Sequence, residues 1–371
     1  MAMQTRISKS SETSTKGQVF DSESQRVWKS SSKQIPRNYG QVFDNSQFWH
    51  LVPEEIGKGP YEMCYYLSLL KNGSVPDRSV RVHIVGNYAQ GKTSLVKRLL
   101  KAETKRTTST DGIDILKLRS ADSFLQTREP ENLSESTDER GTFSVEGMFD
   151  SGNTSINYDL WDFGGQYVFY ATHALFHSNR AIYVLVMDLT KKFDTIVRDT
   201  SHPNETGNRN VEYFIKFWMN SIHSFAGSLD GFEPPVILVG THIDQVQGLR
   251  TSQLKHAEIF FEDVRSLFDG TQILNHFHKK EFAVNNLNRH DIVIDELREE
   301  IMKIGRSKVR NVEIPTRWVY LDHKLKYVTQ KVITIANIQT LILEYDLQTM
   351  PIEELKLFLQ YQHAKGTPFL F

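Results

Sequence analysis

Between Arg81 and Ser94 the chain reads RVHIVGNYAQGKTS. An apolar run ends in Gly-x-x-x-x-Gly-Lys-Thr and passes directly into LVKRLL, which has helical spacing. Strand, glycine-bounded loop and helix form an anion cradle. Backbone N–H groups of the loop converge on a concave site, and the helix adds the positive end of its dipole. Gly86 and Gly91 let the chain turn tightly and approach phosphates closely, with Asn87 and Ser94 completing the cradle. Lys92 would reach the β- and γ-phosphates, and the Thr93 hydroxyl would take one position on Mg²⁺. The plain alternative is a strand-to-helix turn with an exposed lysine; the flanking periodicity and four later segments speak against it.

The first of these is TTSTDGIDILKL, in which a hydroxyl ahead of a strand-like run suits a second Mg²⁺ ligand on a switching loop. Thr110 is the choice among several neighbouring hydroxyls, and Arg106 close by could supply charge in cis but reads better as a solvated loop residue. Next, INYDLWDFGGQ brings Asp162 to a strand end, where it would hold Mg²⁺, usually through a water. Gly165 could offer its N–H to a γ-phosphate, and the Gln166 amide could orient an attacking water, giving Gln166 and Lys92 the catalytic roles. Asp-x-x-Gly alone is often only a turn; behind a phosphate loop and on a strand it says more. Then VILVGTHID offers Asp244, whose carboxylate can accept both N1–H and N2–H of guanine, so GTP is expected over ATP. Thr241 would tie the base loop to the phosphate loop, and the His242 ring could cover a base face. Last, KKEFAVNN would present a backbone N–H near Asn286 to the guanine O6, with Asn285 as a loop brace.

Such residues need a rim on which strand ends meet. The spacing predicts an α/β fold, a mainly parallel six-stranded sheet with helices on both faces and the nucleotide at the carboxyl ends of the strands. AIYVLVMDL at 181–189 reads as a strand covered on both faces, and NVEYFIKFWMNSIHSF at 210–225 as an amphipathic helix whose aromatics are core. Residues 1–45 are rich in Ser, Thr and Lys and read as a disordered tail. Residues 46–78 read as a leading helix and linker, the helix starting near Pro53 and packing as a lid on the domain, with Gly73 to Asp77 as a turn. Residues 79–308 form the nucleotide domain, with a polar insertion of little fixed structure at about 120–141. A second polar insertion or long turn is expected from Thr190 to Arg209.

The 371 residues carry a net charge of −1, so no bulk field points to nucleic acid or an anionic membrane. One cysteine, Cys64, excludes a disulfide framework and suits a reducing compartment. With neither a secretory signal nor a membrane-length apolar run, the expected location is cytoplasmic.

Taken in order, the phosphate loop, TDGID at 110–114, LWDFGGQYVFYATHALF at 160–176 and ILVGTHID at 237–244 resemble the Roc GTPase domain of Roco proteins, a Ras-like module. IPTRWVYLDHKL at 314–325 is similar to the opening of the COR domain that follows Roc, and residues 309–371 resemble its N-terminal, winged-helix-like part, cut short at Phe371. The resemblance implies Mg²⁺-dependent hydrolysis of GTP to GDP as an intracellular signalling switch, with protein partners engaged through COR and the switch segments. COR carries much of the dimer contact in this family, so a homodimer is implied through a part that is here truncated. The alternative from another class is a scaffold that binds GTP or GDP without hydrolysing it. One departure is Tyr88, at the third loop position where Ras-like enzymes prefer glycine; a bulky group there would hinder an incoming water or arginine finger.

Overall fold

Every residue of Ile182–Asp188 is buried, as a β-branched and apolar run covered on both faces must be. This strand lies inside a seven-stranded sheet in a computed structural model. The structure describes residues 53, 56, 60–101, 110, 113–121, 124–127, 156–167, 170–199, 207–227, 233–309, 312–325, 333–344 and 350–365. The 1–45 tail, Arg106 and most of the 120–141 insertion lie outside them.

The strands are β1 (Ser74–Pro76), β2 (Ser79–Val85), β3 (Ile113–Ala121), β4 (Phe124–Thr127), β5 (Asn157–Phe163), β6 (Ile182–Asp188), β7 (Val236–Thr241), β8 (Phe282–Ala283) and β9 (Glu313–Pro315). The large sheet has the order β4-β3-β5-β2-β6-β7-β8. The pairs β2–β5, β2–β6, β6–β7 and β7–β8 are parallel, and β3 runs antiparallel to both β4 and β5. All five parallel strands therefore end at one rim, and β2 sits where the connection order reverses, the usual place for a ligand in an open α/β sheet. The expected Ras-like α/β architecture is present with a seventh strand. That strand is β4: at the start of the stretch expected to have little fixed structure, about 120–141, β3 continues to Ala121 and Phe124–Thr127 pairs back on it with Ser120 opposite Leu125.

The helices are α1 (Pro60–Leu70), α2 (Lys92–Leu99), α3 (Tyr170–His173), α4 (Val211–Ala226), α5 (Arg250–Ser266), α6 (Ile292–Lys308), α7 (Thr316–Leu325), α8 (Ile335–Glu344) and α9 (Ile352–Ala364). One face of the sheet packs Trp161, Phe163, Tyr183 and Leu185 against α4 and α5 through Phe214, Trp218 and Phe261. The other packs Val82, Ile84, Leu160 and Val184 against α2 and α6 through Leu95, Leu99, Leu297 and Ile301. Asn210 caps α4 by accepting the Tyr213 N–H at 2.9 Å, which starts the amphipathic helix within a residue of the expected place. From 190 to 199 and 207 to 209 the expected insertion is turns, closed by a bridge between Ile196 and Asn210.

The leading segment departs from its reading. The helix begins at Pro60, and Pro53 belongs only to a turn in which its carbonyl accepts the Ile56 N–H at 2.9 Å. Nor does α1 lie as a lid on the nucleotide domain. It shares a separate core with the C-terminal helices, in which Tyr66 meets Trp318 edge-on at 5.4 Å and Trp318 meets Phe358 at 5.7 Å. Residues 74–76, read as a turn, form β1 and pair antiparallel with β9. An amphipathic helix shows which face it must bury but not what covers it, and here the cover lies some 250 residues downstream, as in the Tyr66 hydroxyl bond to the Glu313 carbonyl at 2.5 Å. Cys64 is buried in α1, and burial pushes its thiol up to about 11, as befits a packing residue. Among the described residues no helix is long and apolar enough to cross a membrane.

Asp77 joins the two cores. Burial opposes its ionisation, but Lys365, the hydroxyls of Ser79 and Tyr361, and Arg180 together hold its carboxyl at about 2. A depressed folded pKa contributes stability that is present above the unfolded value and lost as pH falls through the folded one. Asp77→Asn should therefore cost about 2 kcal/mol at pH 7, and the cost should fade between pH 4 and pH 2. Urea titrations of both proteins across that range check it; a cost that does not change with pH would contradict the assigned charge contacts.

Candidate functional site

The phosphate-loop candidate occupies the turn between β2 and α2, at the carboxyl rim. Gly86 has φ 142°, and a Cβ there would stand 2.3 Å from the Val186 carbonyl oxygen. Gly91 has φ 79° and caps α2. Both glycines are thus required by backbone shape alone. Lys92 is 6% exposed, which removes the reading of a surface lysine. Its ammonium donates to the Asn87 carbonyl at 2.7 Å, and burial pulls it down to about 8 against the opposing pull of Asp162. Asn87 is buried, and Ser94 sits half-buried in the first turn of α2.

Three segments far apart in sequence meet beside this lysine. The hydroxyls of Thr93 and Thr110 donate to Asp162 Oδ2 at 2.7 and 3.0 Å, and their oxygens stand 2.9 Å apart. Asp162 is 2% exposed, and burial pushes its carboxyl up against the lowering effects of Thr93, Lys92 and Thr110. Its other oxygen, Oδ1, is buried without a hydrogen-bond partner among the described residues. Two hydroxyls and a carboxylate oxygen are hard donors, and a buried carboxylate with a spare oxygen calls for positive charge. The three residues expected to hold Mg²⁺ therefore fit a hard dication.

Gly165 packs directly on the loop. An added Cβ would stand 2.5 Å from Lys92 Nζ and 2.6 Å from both the Asn87 oxygen and the Tyr88 nitrogen. The Gly165 carbonyl accepts from the Tyr170 hydroxyl at 3.2 Å, which pins the segment to α3. Gln166 follows and is 5% exposed. Tyr88 is half-buried on the loop.

On the base side, the fully buried Thr241 Oγ1 lies 2.9 Å from the Gln90 carbonyl and 3.1 Å from that of Met187, the tie between base loop and phosphate loop expected of it. His242 adopts φ 57°, with Nδ1 3.3 Å from Asp188 Oδ1 and 3.2 Å from Thr241 Oγ1. The bond to Asp188 raises its pKa. Its ring is thus held toward the strand ends, beside Gly91. Asp244 is exposed in a 3-10 turn, Ile243–Gln245, on the same rim. Asn285 Oδ1 accepts the Leu287 N–H at 2.9 Å and so braces its loop, and Asn286 Nδ2 donates to the Gly91 carbonyl at 3.2 Å.

Three residues that the motifs did not single out complete the frame. Gln90 Oε1 accepts the Asp188 N–H at 2.6 Å, joining the loop to β6. Arg98 donates from Nε to the Asn286 carbonyl at 2.6 Å and from a terminal nitrogen to that of Leu287 at 3.2 Å, fixing the β8 exit to α2. Asp188 also accepts from the Thr190 hydroxyl at 2.7 Å. Gln90 stands at a free position of the loop pattern and Arg98 at an ordinary helix position, so spacing carries no signal for either.

A family model described as "Ras of Complex, Roc, domain of DAPkinase" matches residues 122–244. That span holds Asp162, Gly165, Gln166, Thr241, His242 and Asp244, while the glycine loop lies before it. The chain is 24% identical over 320 residues to the probable serine/threonine-protein kinase roco5 of Dictyostelium discoideum, covering 82% of this chain and 10% of that protein. It is 29% identical over 199 residues to the probable serine/threonine-protein kinase pats1 of the same organism, covering 52% and 5%. It is 24% identical over 197 residues to that organism's cyclic GMP-binding protein C, covering 52% and 6%. The chain thus spans a tenth or less of the length of these relatives. A solved structure, Methanosarcina barkeri Roco2 RocCORdC bound to GDP, aligns with TM-score 0.48 and 21% identity over 79% of this chain and 69% of that one. The fold rests instead on the strand order above. The family model and the relatives bear out the resemblance to Roc domains read from the motifs.

Backbone shape gives a test at this point. Gly86→Ala should destabilise by several kcal/mol, since φ is positive and the Val186 carbonyl blocks the Cβ. Gly270→Ala, at φ 76° with no atom within 4 Å of the new Cβ, should cost only about 1–2 kcal/mol. Equal losses in chemical denaturation would count against the close approach of β6 to the loop.

Proposed function

We propose that this chain, a Roc-type GTP-binding module by its motifs and relatives, binds GTP and GDP with Mg²⁺ and hydrolyses GTP slowly as a signalling switch. The observation that carries the proposal is the meeting of Thr93, Thr110 and Asp162, from three separate segments, around a buried carboxylate beside Lys92. Lys92 would neutralise charge building on the β- and γ-phosphates, and the backbone N–H groups from Asn87 to Thr93 would cradle them. Thr93 and Thr110 would hold Mg²⁺ directly and Asp162 through water; the ion supplies a positive charge that stabilises the oxygens of the transferred phosphoryl group. Gly165 would sense the γ-phosphate through its contact with the loop, and Gln166 would position the attacking water. Asp244 would select guanine, with His242, Asn285 and Asn286 shaping the base pocket. The 309–371 segment, as a COR-like part, would pass the state of the switches to protein partners, a second copy of the chain among them.

A second reading, a GTP- or GDP-binding scaffold without hydrolysis, is favoured by one observation. Gln166 is 5% exposed, so it must move before it can address water.

Chromatography of nucleotide released on denaturing the purified protein should show GDP or GTP, and none would be expected from Lys92→Ala, which should weaken binding by about 2–5 kcal/mol. Asp244→Asn should reduce the preference for GTP over ATP by about 1–3 kcal/mol in competition binding; an unchanged ratio would overturn the base assignment. In single-turnover assays the wild-type chain should release phosphate faster than Gln166→Leu. Equal rates would leave the scaffold reading standing.

A further inference from the structure

Three side chains with transition-metal chemistry converge far from the phosphate loop. His223 lies in the last turn of α4, Glu233 just before β7, and His276 at the end of a 3-10 turn, Gln272–His276. His223 Nδ1 and His276 Nε2 are 3.0 Å apart, His276 Nε2 and Glu233 Oε2 are 3.2 Å apart, and all three atoms lie within 4.8 Å of one another. A tetrahedral ion with ligand bonds of about 2.0–2.1 Å separates its ligand atoms by about 3.3 Å, so the two separations from His276 Nε2 are close to what such an ion imposes. The side chains of His276 and Glu233 are 0% and 6% exposed.

The hydrogen bonds show what the cluster lacks. His276 Nδ1 is 3.0 Å from the Pro234 carbonyl, which can only accept, so Nδ1 carries a proton. The other nitrogen, Nε2, faces both His223 Nδ1 at 3.0 Å and Glu233 Oε2 at 3.2 Å. A cation shared by the three atoms satisfies them all, and a backbone carbonyl on the far nitrogen is the usual support of a metal-binding histidine. Gly227 makes room, since a Cβ there would stand 3.2 Å from Glu233 Oε2 and 2.3 Å from the His223 carbonyl oxygen.

We propose that His223, Glu233 and His276 form a binding site for one divalent transition metal, Zn²⁺ by preference. Two imidazoles and a carboxylate suit Zn²⁺ and are a poor set for Mg²⁺, and three protein ligands leave a fourth position for water. The ion would clamp the end of α4 to the lead-in of β7 and to the 3-10 turn. β7 then runs about 17 Å to Thr241, so the clamp fixes the far end of the strand that carries the base motif. The site is independent of nucleotide.

The full chain, stripped with chelator and then titrated with Zn²⁺ against a competing chelator of known affinity, should take up one equivalent that excess Mg²⁺ does not displace. His223→Ala and Glu233→Gln should each weaken that equivalent at least about tenfold. The chain holds 13 histidines, so the difference between wild type and the His223→Ala/Glu233→Gln double variant is the decisive reading. Equal uptake by both would mean binding elsewhere and would overturn the site, as would no uptake by wild type, which leaves a proton-held His–Glu pair. Co²⁺ added to the wild-type chain should give the intense visible bands of a tetrahedral site, a readout that needs no variant to fold; weak octahedral bands would count against the assignment.

Discussion

One buried oxygen, Asp162 Oδ2, accepts from Thr93 on the phosphate loop and from Thr110 ahead of β3, and so holds three segments together. A carboxylate this deep is expensive unless positive charge or donors surround it. The chain supplies two hydroxyls and the Lys92 ammonium, and still leaves Oδ1 without a partner among the described residues. Everything on the phosphate side follows from that incomplete compensation. The cluster stays short of positive charge, and Thr110, the member furthest from the rigid strands, is held through its hydroxyl contacts with this group.

The base side is built differently. Thr241 to Gln90, Gln90 to Asp188, Asn286 to Gly91 and Arg98 to Asn286 are neutral or charge-assisted bonds to backbone groups, buried and paired. They lock the loop to the ends of β6, β7 and β8. One half of the rim is therefore preorganised and the other is poised.

Most of the rim could be read in the sequence because its chemistry is local: a glycine needs its φ, and a lysine after a strand needs its anion. Gly86, Lys92, Thr93, Thr110, Asp162 and Thr241 stand where spacing put them, brought together by the parallel order of β2, β5, β6 and β7. What escaped was long-range. Arg98 looks like a solvated helix residue until α2 is laid beside the β8 exit, and α1 has an apolar face whose cover is 250 residues away. His223 and His276 are 53 positions apart on different elements, a separation for which no metal-ligand spacing rule exists. Strand β4 lies at the head of Ser120 to Gly141, a stretch that as a whole is polar, charged and turn-rich, and an edge strand needs only one neighbour.

The shared core of α1 and the C-terminal helices constrains how the two parts can influence each other. Asp77, directly before β2, is gripped by Tyr361 and Lys365 of the C-terminal segment, while Arg180 at the start of the β6 connection stacks 5.5 Å over the Tyr361 ring. These contacts lie at the amino ends of the strands, the rim opposite the phosphate loop. From Asp77 the chain runs through β2, whose last four residues are fully buried, straight into Gly86. A strand buried on both faces and paired on both edges transmits displacement along its axis better than it bends. The loop and the grip of the C-terminal helices thus sit at opposite ends of one strand, β2, and the charge on Asp77 sets how firmly its amino end is held.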